Sequence, residues 1–72
     1  MNMSREFYVI IEKDEDGFFV GEVAQLKACY SQGKTIDELM ANMEEVVALA
    51  LEEQGDVEPA NFVGVQKLVV NG

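Results

Sequence analysis

The sequence has no histidine, no tryptophan, one cysteine and one proline. Without histidine there is no base for a Ser-His or Cys-His nucleophile pair, and no mixed cysteine and histidine zinc site can form. The single thiol, Cys29, cannot close an intrachain disulfide, and its apolar neighbours favour a buried, unreactive group. We therefore expect no cofactor, no metal and no catalytic residue, and a protein that is not an enzyme.

Basic residues are also scarce, with 5 against 14 acidic ones, which gives a formal charge of -9. This balance argues against direct binding of nucleic acid, because Lys and Arg are needed to displace counterions from phosphates. Hydrophobic residues nevertheless make up 49% of the chain. That share excludes a disordered acidic tail, since such tails have little apolar surface to bury.

The chain of 72 residues is predicted to form one domain over residues 1–72. Domains of this size are marginally stable and often depend on disulfides, metals or oligomerisation. Since the composition disfavours the first two, we expect a homo-oligomer or another protein partner. No targeting segment or membrane span is evident, so we expect a cytoplasmic protein that does not bind membranes.

Aromatic and β-branched residues near the start of the chain predict a β-hairpin. Its strands are predicted over residues 6–13 and 18–24, with a turn at Asp14–Gly17 between them. Asp tolerates turn geometry, and Gly17 can adopt a positive φ without a Cβ clash. Further β-type runs predict a third strand over residues 28–32 and a fourth over 62–70.

A helix is predicted between the third and fourth strands, over residues 36–54. Thr35 and Glu38 fit a capping box, in which each side chain satisfies a free backbone N–H of the first turn. Gly55 and Pro59 are expected to stop the helix. Apolar residues recur at helical spacing, at Ile36, Leu39, Met40, Met43, Val46, Val47, Ala50 and Leu51.

The element order β-β-β-α-β indicates an α+β domain with one helix on one face of a four-stranded sheet. Two tight turns make the first three strands an antiparallel meander, and the helix returns the chain across it. A right-handed crossover then places the fourth strand beside the first, so the predicted sheet order is 3-2-1-4.

The sheet face that the single helix leaves uncovered is predicted to mediate self-association. A solvated face would alternate apolar with polar residues, but these strands are apolar on both faces. Leaving several such side chains in water would lose free energy comparable to the stability of the whole domain. We therefore expect a second copy, or another protein, to cover a face that includes Tyr8, Ile10, Phe19 and Val23.

Two segments match ligand-binding loops only in part. Residues 28–35 depart from the phosphate-binding G-x-x-x-x-G-K-[ST] loop at its first position, where Ala28 stands in place of glycine. The simpler interpretation is that Gly33 makes a turn and Thr35 caps the helix. The Asp14–Gly17 turn lacks the remaining ligands of a calcium loop, so a solvated turn is favoured.

The predicted helix carries acidic residues and neither Lys nor Arg, so its polar face gains no i,i+4 pairing. The acidic residues of the helix include Glu38, Glu45 and Glu52, and Leu49 falls outside the apolar arc, among Glu38, Asn42 and Glu45. Two interpretations remain open. One is a solvated outer surface; the other is a surface that docks a basic protein, with Leu49 as an apolar anchor and the acids accelerating encounter.

Three segments form one pattern over residues 7–53. They are the D-G-F turn at Asp16–Phe18, the run Cys29–Thr35, and the helix opening Asp37–Leu39 with Asn42–Glu45 after it. This pattern resembles the HicB-like antitoxin family. Members of that family often have a P-x-L-P-G-C stretch, where this chain reads Ala24-Gln25-Leu26-Lys27-Ala28-Cys29.

The resemblance implies a partial ribonuclease-H-like domain of β-β-β-α-β order that assembles as a dimer or tetramer. It also implies binding to HicA, a small basic mRNA-cleaving toxin whose active site the antitoxin covers. Full antitoxins add a C-terminal DNA-binding domain. No such segment is evident here, so we expect a short stand-alone member of the family.

Three functions follow as hypotheses. The first is an antitoxin-like protein that neutralises a HicA-type toxin by masking its active site. The second is a stand-alone self-assembling regulatory or scaffold module without a toxin, and the third is a relic metal-dependent nuclease that uses Glu12. Toxin contacts are expected at Asp14, Glu15, Asp16, Glu38, Glu45, Leu49 and Glu52.

Overall fold

A computed structural model describes residues 5–54 and 61–72 of the chain. The elements follow one another as β1 (Val9–Lys13), β2 (Phe19–Val23), β3 (Tyr30–Gly33) and α1 (Ile36–Gln54). The three strands form an antiparallel sheet in the order β1-β2-β3, with one helix beside it. The α+β class is therefore confirmed. The predicted stop signals Gly55 and Pro59 lie outside the described residues.

The hairpin between β1 and β2 is formed by a turn at Asp14–Gly17, as the sequence predicts. The Asp14 backbone N–H donates to the Phe18 carbonyl at 2.9 Å. Asp14 Oδ1 accepts hydrogen bonds from the backbone N–H groups of Asp16, at 3.0 Å, and of Phe18, at 2.9 Å. Gly17 has a φ of 88°, which a residue with a Cβ adopts only at a cost. The turn thereby sets a register in which Lys13 pairs with Phe19.

The connection from β2 to β3 contains a strained residue. Ala28 has a φ of 52°, in the left-handed region that favours glycine. The loop is anchored in the core at Leu26 and Cys29, while Lys27 and Ala28 between them are exposed. The Val23 N–H donates to the Cys29 carbonyl at 2.9 Å, which brings the chain back onto β2. The core contacts of Leu26 and Cys29 and this hydrogen bond therefore hold Ala28 in a backbone conformation that alanine disfavours.

Helix α1 begins with side-chain caps and has the bounds that the sequence predicts. Thr35 Oγ1 accepts a hydrogen bond from the Glu38 N–H at 3.1 Å, as in a capping box. The Glu38 carboxylate reaches back to the N–H of Lys34, also at 3.1 Å, rather than to that of Thr35. Two N–H groups at the start of the helix are thus satisfied by side chains.

The core lies between the sheet and α1, with the helix mainly over β3 and β2. Gly33, at the end of β3, does not have a positive φ, so its role differs from the predicted turn. A Cβ atom there would lie 2.5 Å from the backbone nitrogen of Leu39, so glycine allows the helix to approach the strand. The fully buried side chains are Val23, Cys29, Leu39 and Met43.

The predicted fourth strand and the sheet order 3-2-1-4 are not found. Residues 61–72 contain no strand, and the sheet has three strands. Their β-type residues have no strand partner within the described chain, and Val63 is 92% exposed. The partial ribonuclease-H-like architecture, which needs that strand, stays a prediction.

The four residues predicted to share one uncovered face lie on two different faces. In the β1–β2 register, Ile10 pairs with Glu22 and Val9 with Val23, so Val23 lies on the face opposite to Ile10. Val23 is buried in the core, and Phe19 packs against that core. Tyr8 and Ile10 are exposed on the other face. The grouping was wrong because alternation separates the two faces within each strand but does not give the register between β1 and β2, which decides which residues share a face.

Candidate partner-binding surfaces

The two edges of the sheet present different surfaces. Backbone groups of alternate residues in an antiparallel strand point to opposite sides. The backbone N–H of Ala24 donates to the carbonyl of Tyr8 at 3.2 Å, so the backbone groups of the even-numbered residues of β1 point toward β2. The backbone groups of Val9, Ile11 and Lys13 therefore point to the free edge of β1. At the opposite side, Tyr30 and Gln32 of β3 present their backbone groups to the other free edge.

The free edge of β3 is partly closed by the helix. Asn42 Nδ2 donates to the Gln32 carbonyl at 2.8 Å. This hydrogen bond satisfies one edge acceptor and discourages strand addition at that position. It also fixes the rotation of α1, because the face of the helix that carries Asn42 must lie along β3.

The acidic helix face adjoins that edge. With 3.6 residues per turn, Glu38, Glu45, Leu49 and Glu52 fall within an arc of about 60° beside Asn42. All four are exposed, and Leu49 is 60% exposed. Leu49 is thus an isolated apolar side chain surrounded by carboxylates. We call these four residues the acidic face.

The acidic hairpin turn lies at the same end of the sheet as the start of α1, because β3 ends opposite Phe19. Asp14, Glu15 and Asp16 are exposed there. Asp14 is engaged as the acceptor of the turn, whereas no side-chain hydrogen bond is found for Glu15 in the described chain. Glu38 lies toward this end, and Glu52 lies about 21 Å further along the helix axis. The predicted contact residues therefore form a strip and not a single cluster.

The free edge of β1 borders an apolar groove. The groove has a volume of about 1020 Å³ and runs between β1, the residues before it, and α1. It lies on the side of the helix away from the acidic face. Its larger apolar lining residues are Phe7, Val9, Met40, Met43, Val47 and Leu51, and the charged residues Arg5 and Glu44 also line it.

The segments with partial resemblance to ligand loops have structural roles. The Lys34 N–H is held by Glu38 and Thr35 caps the helix, which supports the capping role predicted for Thr35 within residues 28–35. Burial raises the pKa of the Cys29 thiol above its ordinary value, as expected for an unreactive group. Within residues 5–54 and 61–72, no group of three or more potential metal-binding side chains is assembled. Glu12 and Glu22 share the exposed sheet face without a third ligand beside them.

Two features of these surfaces were missed by the sequence analysis. Helical spacing placed Asn42 beside Leu49 on the polar face of the helix, but its hydrogen bond to the Gln32 carbonyl was not predicted. The groove was not expected, because the predicted fourth strand would have filled it. In the part of the chain that the structure describes, no helix is both long enough and apolar enough to cross a membrane.

Comparison with known families gives one match that spans most of the chain. The model of a family described as "HicB_like antitoxin of bacterial toxin-antitoxin system" matches residues 7–68. The matched region includes the hairpin, the helix and most of residues 61–72. No solved structure matches the chain.

Relatives of similar length occur in bacteria and archaea. A UPF0150 protein of Synechocystis is 62% identical over 66 residues, which cover 92% of this chain and 96% of the relative. A UPF0150 protein of Archaeoglobus fulgidus is 45% identical over 65 residues, covering 90% and 94% of the two chains. A third, from Thermotoga maritima, is 34% identical over 71 residues, covering 96% and 95%.

Proposed function

The chain belongs to the HicB-like antitoxin family, and we propose that it neutralises a small, basic, HicA-type mRNA-cleaving toxin by masking the active site of that toxin. The observation that carries the proposal is the acidic face of α1. A toxin that binds RNA must present cations to phosphates. A row of carboxylates can occupy the same cations and thereby compete with RNA.

The acidic face combines two features that favour a protein partner. Its carboxylates attract a basic surface over a distance and so raise the rate of encounter. Leu49 supplies an apolar contact at the centre of the row, where binding energy is usually concentrated. The free edge of β3 lies alongside, so a docked toxin would contact both the helix and the strand.

The hairpin turn is the second proposed contact. Asp14, Glu15 and Asp16 extend the negative surface beyond the start of α1. Because Asp14 accepts two backbone hydrogen bonds, its carboxylate is held in place and loses little freedom on binding. Glu15 and Asp16 are exposed at the tip.

Homo-oligomerisation, as a dimer or tetramer, is part of the proposal. Exposed Tyr8 and Ile10 and the open groove beside β1 are apolar surfaces that a second copy can bury. The antitoxin family suggests a non-enzymatic role that acts by binding. We place this role in the cytoplasm, where a toxin that cleaves mRNA would meet its substrate.

A second candidate is a self-assembling regulatory or scaffold module that has no toxin. The groove and the exposed apolar residues of the segment 61–72 favour it, because both concern contacts between copies. The acidic face distinguishes the two candidates, since self-assembly of a chain with a charge of -9 gains nothing from it.

Co-expression with the protein encoded by the reading frame beside the gene tests the antitoxin proposal. We expect the neighbouring protein alone to arrest growth, co-expression to restore it, and the two proteins to purify together. Leu49→Ala is expected to weaken this complex. Ile36→Ala removes a side chain of the same size from a position of α1 that is 42% exposed outside the acidic face, and is the matched control. Failure of the intact chain to restore growth or to retain the neighbouring protein would contradict the proposal.

A further inference from the structure

The residues immediately before β1 lie against the body of the domain without belonging to a strand. Residues 5–8 precede Val9, where β1 begins. Phe7 packs against the core and, together with Arg5, lines the groove between β1 and α1. We call residues 5–8 the strap. The strap therefore covers part of the core and forms one wall of the groove.

The partner strand turns away beside the strap. β2 ends at Val23, and the Ala24 N–H makes the last backbone hydrogen bond across the pair, to the Tyr8 carbonyl at 3.2 Å. In a regular antiparallel ladder, the Tyr8 N–H would donate to the Ala24 carbonyl in return. The Glu6 carbonyl would then accept from the N–H of Leu26. Neither of these two hydrogen bonds is found among the residues that the structure describes.

The side chain of Gln25 supplies both of the missing groups. Its Oε1 accepts a hydrogen bond from the Tyr8 N–H at 2.8 Å, and its Nε2 donates to the Glu6 carbonyl at 3.1 Å. A side-chain amide can do this because it carries an acceptor and donors next to each other, as the backbone does. One half-buried side chain thus continues the ladder along the strap after the backbone of β2 has left it.

Few other contacts hold the strap in place. Two of the three hydrogen bonds that join it to the rest of the described chain come from Gln25. The remaining contacts are the packing of Phe7 and the stack of the Tyr8 ring on Phe62, with centroids 4.7 Å apart. Segments held by few buried contacts and by exposed hydrogen bonds open at a lower free energy than the whole domain.

We propose that the strap opens as a separate unit and that Gln25 is the residue that holds it closed. When the strap is closed, Phe7 covers the core and the groove is complete. When it opens, Phe7 leaves the core and the groove loses one wall, while β1 stays paired with β2 from Val9 onward.

This arrangement makes Gln25 a positioning residue for the groove, since its side chain is not part of the groove lining. A molecule that fills the groove and contacts Phe7 binds only the closed strap, and therefore shifts the equilibrium toward closure. The inference goes beyond the proposed function and does not depend on it, because neither the acidic face nor a toxin is involved.

Hydrogen exchange of the full chain, followed by NMR at low urea concentrations, tests whether the strap opens separately. The Tyr8 amide reports on the strap because its acceptor is the Gln25 side chain. The Val23 amide, bonded to the Cys29 carbonyl at 2.9 Å, reports on the centre of the fold. Tyr8 is expected to exchange faster than Val23 and with little dependence on urea, because local opening exposes little surface. Equal exchange free energies and equal urea dependence for the two amides would overturn the proposal.

Variants of Gln25 test whether its hydrogen bonds hold the strap closed. Gln25→Ala removes the side chain, whereas Gln25→Met keeps its length and removes the amide. Chymotryptic cleavage after Phe7, located by mass spectrometry, measures the open population. Both variants are expected to accelerate this cleavage by about tenfold or more.

Gln32→Ala is the matched control, because Gln32 is exposed on β3 and no hydrogen bond of its side chain is found in the described chain. It is expected to leave the cleavage rate unchanged. Far-UV circular dichroism verifies that each variant is folded. Parental cleavage rates in Gln25→Met would show that the amide does not hold the strap, and would overturn the assignment of Gln25.

Discussion

The backbone of Leu39 passes Gly33 so closely that a Cβ atom on the glycine would lie 2.5 Å from the Leu39 nitrogen and 2.9 Å from its Cα. The obstacle is backbone at the start of α1 and cannot rotate away as a side chain would. Leu39 is also fully buried between helix and sheet. Gly33 thus sets how closely α1 can pack on β3.

Gly33→Ala is therefore expected to destabilise the fold by about 3 kcal/mol, the upper end of the usual range for overpacking. This is a large share of the stability of a domain of this size. Gly64→Ala is the control, because a Cβ there meets nothing within 4 Å. Urea unfolding followed by circular dichroism measures both variants, and equal midpoints for the two would contradict the prediction.

Ala28 is the residue at which a substitution is expected to stabilise the protein. Its φ of 52° costs an alanine roughly 1–2 kcal/mol, whereas glycine adopts it freely. Part of the gain is offset because glycine makes the unfolded chain more flexible. Ala28→Gly is expected to add about 1 kcal/mol to the free energy of unfolding, which raises the Tm of a small domain by about 4–8 °C.

Replacing an alanine by glycine within the helix is expected to lower the free energy of unfolding, whereas Ala28→Gly is expected to raise it. Ala48 is an exposed residue of α1, where Ala→Gly costs about 1 kcal/mol. Ala28→Gly and Ala48→Gly each remove one methyl group. A difference between their Tm values therefore reports the difference in backbone conformation at the two positions. A lower Tm for both would show that Ala28 is not strained.

Local signals were sufficient to predict the hairpin and the helix. The Asp14 turn, the cap at Thr35 and the helical spacing from Leu39 to Leu51 are interactions between residues near one another in sequence. They do not depend on which distant residues come into contact. The acidic face was predictable for the same reason, since helical spacing alone places Glu38 and Glu45 on one side.

Contacts between distant residues could not be predicted. Alternation separates two faces within each strand, but the register between β1 and β2 decides which residues share a face, so Val23 was wrongly grouped with Ile10. The valine-rich segment 61–72 has strand composition, but composition does not determine whether a segment joins the sheet. The left-handed φ of Ala28 was hidden as well, because alanine at that position gives no sign of a loop that favours glycine.

Burial of Cys29 gives the stability of the fold a specific dependence on alkaline pH. Desolvation raises the pKa of the folded thiol above its ordinary value of 9.0, so the unfolded chain loses this proton first. The contribution of the thiol to the free energy of unfolding therefore does not change with pH below 9.0. As the pH rises from 9.0 through the raised pKa, the folded state loses stability.

Cys29→Ala removes this contribution. The difference in unfolding free energy between the parent and Cys29→Ala is expected to be constant below pH 9.0 and to shift against the parent above it. Other alkaline titrations cancel in the difference, because both proteins contain them. A difference that stays constant through the alkaline range would contradict the burial of this thiol.

Electrostatic attraction along the acidic face is expected to control the rate of toxin binding. Glu45→Lys combined with Glu52→Lys changes the formal charge from -9 to -5 and places cations on either side of Leu49. The association rate constant is expected to fall by about tenfold at low salt, and its dependence on ionic strength to flatten, because steering acts before contact. Surface plasmon resonance with the proposed toxin partner at several salt concentrations measures both effects.

A second charge reversal of equal size distinguishes the local surface from the total charge. Glu6→Lys with Glu12→Lys also gives -5, but both residues lie before or within β1, away from the acidic face. If the acidic face is the docking surface, this control retains most of the parental rate. If both pairs slow binding equally, the toxin responds to net charge alone, and the assignment of Glu45 and Glu52 as contacts fails.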